Sequence, residues 1–210
     1  MAPESFALFL FAALVIALVP GPGIFYVMGR TLADGRQAGI ASTLGTAFGG
    51  CAHIFAGALG VSAIILASAQ LFTALKLIGA FYLVWLGVRT FRQAGRQLPR
   101  LSARIGAKRA FREGVLVESL NPKTAAFFLA LIPQFLDATD PHAARHFVAL
   151  GLVSVTLNTL ADVIVVAVAA RLRASITRWS GLVLRMQQGS GLLMAGLGAS
   201  LAVARRPAST

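Results

Sequence analysis

Four ionisable side chains stand inside long apolar runs of this chain: Lys76, Glu118, Lys123 and Asp162. At the centre of a bilayer a charged group costs roughly 3 kcal/mol or more, so each must face a protein interior, a water-filled cavity or the membrane edge. Lys123 follows a proline at a depth from which its ammonium cannot easily reach water, and it needs a carboxylate: Glu118, Asp162 or one carried by a solute. Asp162 stands four residues after Asn158, which puts both on one face of a helix otherwise rich in Val, Ile and Ala. That stripe suits solute binding, with an ion pair from Asp162 to Lys123 as the alternative. Glu118 precedes Asn121 by three residues and shares its face, where a buried carboxyl can take up and release a proton. Reaching water at the near membrane edge is the other use for Glu118. Lys76 stands near the opposite edge, where its stem can carry the ammonium out.

Other chemistries lack their residues. Cys51 is the only cysteine, which excludes an internal disulfide and a Cys-rich metal site. His53, two residues on, has no histidine partner in its run, so both read as packing residues and no metal or other cofactor is expected. Lys123-Thr124 lacks the preceding glycines of a P-loop, which argues against direct use of ATP. A hydrolase built on Ser190 in Gln188-Gly189-Ser190-Gly191 with His53 would have no third partner. The chain is not expected to be an enzyme.

The elements that must hold these residues are set by composition. Of 210 residues 57% are hydrophobic and 12% charged, with mean hydropathy +0.78. A water-soluble domain carries nearer a quarter charged residues. About 20 apolar residues cross a bilayer, so this length holds roughly six or seven helices and no separate soluble domain. Apolar runs fall at 5–28, 38–67, 71–88, 114–136, 147–170 and 186–204. The first has no basic segment before it and continues through Pro20-Gly21-Pro22, so it reads as a retained helix rather than a signal peptide. The expected fold is therefore all-α, a polytopic membrane protein of six transmembrane helices in one domain over 1–210.

The net charge of +12 would suggest nucleic acid in a soluble protein, yet no aromatics interleave the basic residues and no nucleic-acid motif is present. Fourteen of the 19 Lys and Arg residues lie in the first, third and fifth connections, and three lie in the even connections and tails. The positive-inside rule puts the odd connections in the cytoplasm and both termini outside it, with Arg205-Arg206 as a weak dissent. The series Arg89, Arg92, Arg96, Arg100 and Arg104 reads as part of this topology signal. Its near-helical spacing also suits an amphipathic segment on anionic lipid.

Dividing the chain in the long basic connection, 89–113, leaves three spans at about 5–88 and three at about 114–204. An odd number per half makes the second half enter from the opposite side, which permits an inverted repeat. Each half opens on a helix interrupted by proline, at Pro20-Gly21-Pro22 and at Asn121-Pro122. Matching breaks free backbone groups at depth and point to a transporter binding site. At about 1.5 Å per residue, Pro20 lies roughly 22 Å from the outer end of its helix, and Asn121 and Lys123 roughly 12 to 15 Å from the inner end. Asn158 and Asp162 lie roughly 16 and 22 Å from the outer end of the fifth span, deep enough to meet the breaks. The Gly45-x-x-x-Gly49 pair and the Gly191, Gly196, Gly198 series let helices approach closely.

These motifs resemble a known set. Pro20-Gly21-Pro22 is followed by Gly35-Arg36-x-x-Gly39-Ile40 with Gly45 and Gly49, then by Lys76-x-x-Gly79-Ala80-x-Tyr82-Leu83-x-Trp85-Leu86-Gly87. Phe111-Arg112-x-Gly114, Asn121-Pro122-Lys123, Phe127-Phe128 and Pro133-Gln134-Phe135 come next. In this order, over nearly the whole length, the chain is similar to the lysine-exporter (LysE/RhtB) family of bacterial inner-membrane transporters. That resemblance implies a six-span fold and efflux of an amino acid or close derivative, driven by the proton gradient. The motif residues it carries over are Pro20, Gly21, Pro22, Lys76, Gly79, Tyr82, Asn121, Pro122 and Lys123. The roles of Glu118 and Asp162 rest on depth and charge alone.

The expected function is secondary export of an amino acid from a midplane pocket. Pro20, Gly21, Pro22, Asn121, Pro122, Lys123, Asn158 and Asp162 would bind substrate, and Glu118 or Asp162 would carry the proton. Lys76 and Tyr82 would have pocket or structural roles. The partners are the substrate, protons and the lipid bilayer, with a homo-oligomer left open and no nucleic acid. Efflux of a metal or inorganic ion is the rival within transport, disfavoured by the lack of clustered His, Asp or Cys.

Overall fold

The computed structural model of the chain describes residues 3–67, 69–94, 104–136, 140–172 and 179–203. Arg96, Arg100, Arg173, Arg178, Arg205 and Arg206, the side chains of Lys76 and Ser190, and the surroundings of Gly79 lie outside what is described. All regular elements among the described residues are helical. They are α1 (Pro3–Leu18), α2 (Pro22–Asp34), α3 (Arg36–Ala67), α4 (Ala69–Arg92), α5 (Ala107–Ser119), α6 (Pro122–Ala126), α7 (Ala143–Leu172) and α8 (Trp179–Val203). A π-helical turn, Phe127–Leu131, and a 3-10 turn, Ile132–Phe135, prolong α6.

Proline explains both interruptions. Pro20 and Pro22 bring no N–H to the ladder, so α1 stops, and the chain restarts with Pro22 in the first turn of α2, where no donor is needed. The two pieces meet at 45°. In the second half Asn121 caps the N-terminus of α6 and Pro122 fills its first position, and α5 meets the following piece at 41°.

The polar segment between the first two apolar runs is shorter than its composition suggests. Helix α2 continues to Asp34 and α3 begins at Arg36, with Gly35 alone between them. Its φ of 92° is costly for a side-chain-bearing residue, and its N–H bonds the carbonyl of Thr31 at 3.0 Å. Arg30, assigned to a connection from sequence, is a buried helical residue 3.2 Å from the carboxylate of Asp34. Likewise α5 begins seven residues before its apolar run, and Tyr26 ties it to α2. The Tyr26 hydroxyl lies 3.0 Å from the carbonyl of Ala110 and 3.1 Å from Glu113 Oε2. Arg104 to Gly106 are not helical, so the basic series does not continue α4 into a single amphipathic helix at that end.

Helix α3 lies against α5 and α7, and α4 pairs with α8. Small residues make these approaches possible. A Cβ on Gly49 would stand 2.8 Å from Glu118 Cβ, and one on Gly114 would stand 2.7 Å from the carbonyl of Ser42. Gly87 and Gly191 face one another across α4 and α8, and Gly198 faces Ala80, whereas Gly196 faces open space and takes no part. A central core of Phe9, Ile16, Val19, Leu83, Phe127, Phe128, Leu131 and Phe147 joins the two halves. Outside it, Phe11, Phe48, Phe55, Phe81, Leu120 and Ile164 are exposed, an apolar rim suited to lipid.

Among the described residues, Ala143–Arg171 is long and apolar enough to cross a membrane alone. Counting each bent pair as one span raises the number to three.

Candidate functional site

Each proline leaves the carbonyl four residues before it without its helical donor. Before Pro20 this is Ile16, and before Pro122 it is Glu118. A backbone N–H three residues on reaches each, Val19 to Ile16 at 3.2 Å and Asn121 to Glu118 at 3.0 Å, and a long-range side chain completes both. Lys123 Nζ donates to the carbonyl oxygens of Ile16 at 3.1 Å and Val19 at 2.9 Å. The Nε2 of His53 lies 2.9 Å from the carbonyl oxygen of Glu118. The ammonium of Lys123 therefore sits at the negative end of α1, where a cation is favoured. No carboxylate pairs with it at salt-bridge distance among the described residues, which replaces the partner expected from sequence with backbone oxygen. Gly21 makes room, since a Cβ there would stand 3.1 Å from Lys123 Cδ. His53, read from sequence as a packing residue, is instead a hydrogen-bonding group at the second break.

The carboxylate of Glu118 is held at both oxygens. Asn121 Nδ2 donates to Oε2 at 2.9 Å and Thr124 Oγ1 donates to Oε1 at 2.6 Å. Asn121 is thus double-ended, because its Oδ1 accepts from the N–H of Lys123 at 3.0 Å. Gly23 lies against Glu118 Oε2 so closely that a Cβ there would displace it. Glu118, Lys123 and Asp162 are 7%, 4% and 5% exposed, so Glu118 does not reach water by extending outward.

Asp162 has a different setting. Thr46 Oγ1 lies 2.8 Å from Asp162 Oδ2 and 2.9 Å from the carbonyl of Thr43. A hydroxyl carries one hydrogen, so it can donate to one of these acceptors at a time. With the hydrogen on Thr43, the short contact to Asp162 is a hydrogen bond only if the carboxyl is protonated and donates. With the hydrogen turned to Asp162, the ionised form is satisfied. Both protonation states thus find a partner without movement of the helices.

These residues bound two cavities. Gly23, Thr46, Glu118, Asn121, Thr124, Asn158 and Asp162 line a small one of about 20 Å³. Pro20, Gly21, Pro22, Phe25, Leu86, Arg89, Thr90, Gln93, Pro122, Gln187 and Met194 line a larger one of about 140 Å³. Lys123 lines both. Asn158 and Asp162 share the small cavity as the four-residue spacing predicts, although Asn158 also spends an amide N–H on the carbonyl of Ser154 at 2.9 Å. Tyr82 lines neither cavity and packs with Trp85 at a ring distance of 5.5 Å. Thr46, His53, Arg89 and Thr124 were not legible from sequence. A threonine or histidine in an apolar helix ordinarily satisfies itself locally, and Arg89 is one of many basic residues.

The family model for LysE type translocators matches residues 14–205. An uncharacterized membrane protein of Vibrio cholerae is 33% identical over 198 residues, 94% of this chain and 96% of its own. A homoserine/homoserine lactone efflux protein of Salmonella typhimurium is 30% identical over 172 residues, 81% of each chain. A leucine efflux protein of Salmonella choleraesuis is 30% identical over 143 residues, 66% of each. No solved structure matches.

Proposed function

The chain belongs to the LysE type translocator family, and from that premise we propose that it exports an amino acid or a close derivative across the bacterial inner membrane against proton entry. The observation that carries this reading is the convergence of Glu118, Asn121 and Lys123 of one proline-broken helix with Asp162 of α7, beside the start of α2 in the other broken helix, in an otherwise apolar bundle. Relatives named for efflux of homoserine and of leucine support the substrate class. In this reading the chain forms six spans, with α1–α2 and α5–α6 as equivalent broken helices of an inverted repeat. The bends of 45° and 41° support that equivalence. The odd connections face the cytoplasm and both termini face away from it, on the strength of the basic residues.

The two carboxyl groups divide the work. Glu118, held at both carboxylate oxygens by Asn121 and Thr124, fixes the second break beside Lys123. Asp162, with its two-way partner Thr46, takes up and releases the transported proton. Proton entry from outside and substrate release then alternate as the halves rock about the site. Pro20, Gly21, Pro22, Asn121, Pro122, Lys123 and Asn158 shape the site, and Tyr82 has a packing role.

Efflux of preloaded radiolabelled leucine and homoserine from proteoliposomes tests the reading. A pH gradient, acid on the receiving side, should accelerate efflux of at least one of them by tenfold or more. Asp162→Asn should remove that acceleration. Equal efflux with and without the gradient in the unaltered protein would refute proton coupling, and no efflux of any amino acid in a wider panel would refute the substrate class. A reporter fused after Arg104 should be active in the cytoplasm. Activity on the other face would invert the proposed orientation.

A further inference from the structure

The two cavities differ in size and lining in a way that bears on where substrate and proton travel. About 20 Å³ is room for one or two water molecules and not for an amino acid. This small space holds both carboxyl groups. The polar groups that face it are Thr46 on α3, Glu118 on α5, Asn121, Lys123 and Thr124 at the second break, and Asn158, Thr159 and Asp162 on α7. His53 stands behind Glu118, on its backbone carbonyl.

Among the described residues no carboxylate lines the larger cavity, about 140 Å³. Its polar wall is Arg89, Thr90, Gln93, Gln187 and Lys123, and its apolar wall includes Phe25, Leu86 and Met194. The Arg89 guanidinium lies over the ring of Trp85 at 5.2 Å, which orients it without using up its planar fork of donors. Such a fork matches a carboxylate. The Lys123 ammonium has three N–H groups and spends two on Ile16 and Val19. Cation and apolar wall together suit the carboxylate and the side chain of an aliphatic α-amino acid.

We infer that substrate and proton occupy separate compartments on either side of Lys123: the amino acid sits in the larger cavity with its carboxylate at Arg89, and the proton with a water in the smaller one at Asp162. Lys123 is the partition between them, and its side chain is the group through which one occupancy is felt by the other. This rests on the proposed export function and narrows its substrate site to residues around the first break.

Two measurements on proteoliposomes separate the compartments: the half-saturation concentration in leucine and homoserine exchange without a pH gradient, and the acceleration of efflux by the gradient at saturating substrate. Arg89→Gln should raise the half-saturation concentration by tenfold or more and keep the acceleration, and Arg89→Lys should fall between. Asp162→Asn should abolish the acceleration and move the half-saturation concentration less than twofold. Size-exclusion profiles identify any variant that fails to fold, in which case Arg89→Met and Asp162→Ser stand in for the losses. An equal rise in half-saturation concentration for the Asp162 variant, or none for the Arg89 variant, would overturn the inference. Failure of the unaltered protein to exchange either solute, or to respond to the gradient, would instead count against the function on which it rests.

Discussion

The two helix breaks solve one problem with different groups. At the first, Ile16 offers its carbonyl to the N–H of Val19 and, together with the carbonyl of Val19, to an ammonium, and the N-terminus of α2 has only Gly21 before it, with no side-chain cap. At the second, Glu118 offers its carbonyl to a histidine ring and to the N–H of Asn121, and Asn121 caps α6 from within the same segment. Each break thus has a local N–H and a side chain from the other half on the carbonyl its proline leaves, but only the second carries a side-chain helix cap. The first is held from the other half of the molecule, by one side chain that also touches both cavities. Lys123 serves two carbonyls where His53 serves one, so moving Lys123 disturbs the ends of two helices at once.

The largest disturbance should come from Lys123→Met. It keeps much of the stem and leaves two buried carbonyls with fewer donors, at a cost on the order of 3 kcal/mol. The expected result is a melting temperature lower by several degrees in detergent, together with lost efflux. A melt like that of the unaltered protein would show that the clamp carries no stability. Asn121→Ala comes next, because it removes a helix cap and one of the two donors to Glu118, about 1–2 kcal/mol. For His53→Ala about 1 kcal/mol is expected, since the N–H of Asn121 still reaches the same carbonyl, and His53→Gln should recover part of it. If His53→Ala proved as costly as Lys123→Met, the claimed asymmetry would be wrong. Gly21→Ala should be mildest, below about 1 kcal/mol, because the Lys123 stem it crowds can shift by a few tenths of an ångström. Combining Lys123→Met with His53→Ala sharpens the comparison. Their costs should add within about 0.5 kcal/mol if the breaks are independently satisfied.

Much of this arrangement is legible in the chain. The placement of Pro20 and Pro122 gives both breaks, since proline lacks a donor wherever it stands in a helix. The three-residue step from Glu118 to Asn121 gives their contact, and the four-residue step from Asn158 to Asp162 gives a shared wall. Gly45, Gly49, Gly191 and Gly198 announce the close crossings, while Gly196 follows the same pattern and faces open space. The partner of Lys123 was not legible. Charge complementarity nominates Asp162 or Glu118, but an orphaned carbonyl is invisible in residue types and competes equally well for an ammonium. His53 escaped for the same reason, because the group it serves is backbone.

What the sequence alone determined is periodic or local: apolar runs, proline breaks, the sign of the charges and the connections that hold them, and neighbours three or four residues apart on one helix. Tertiary structure decided which residues from different helices meet, that Lys123 bridges the first break, that Thr46 faces Asp162, and that Arg89 borders a cavity separate from the carboxyl groups. The physical reason is that backbone hydrogen bonding and hydrophobic transfer act residue by residue along the chain. The choice of partners among several buried donors and acceptors depends on how closely the glycines let the helices approach.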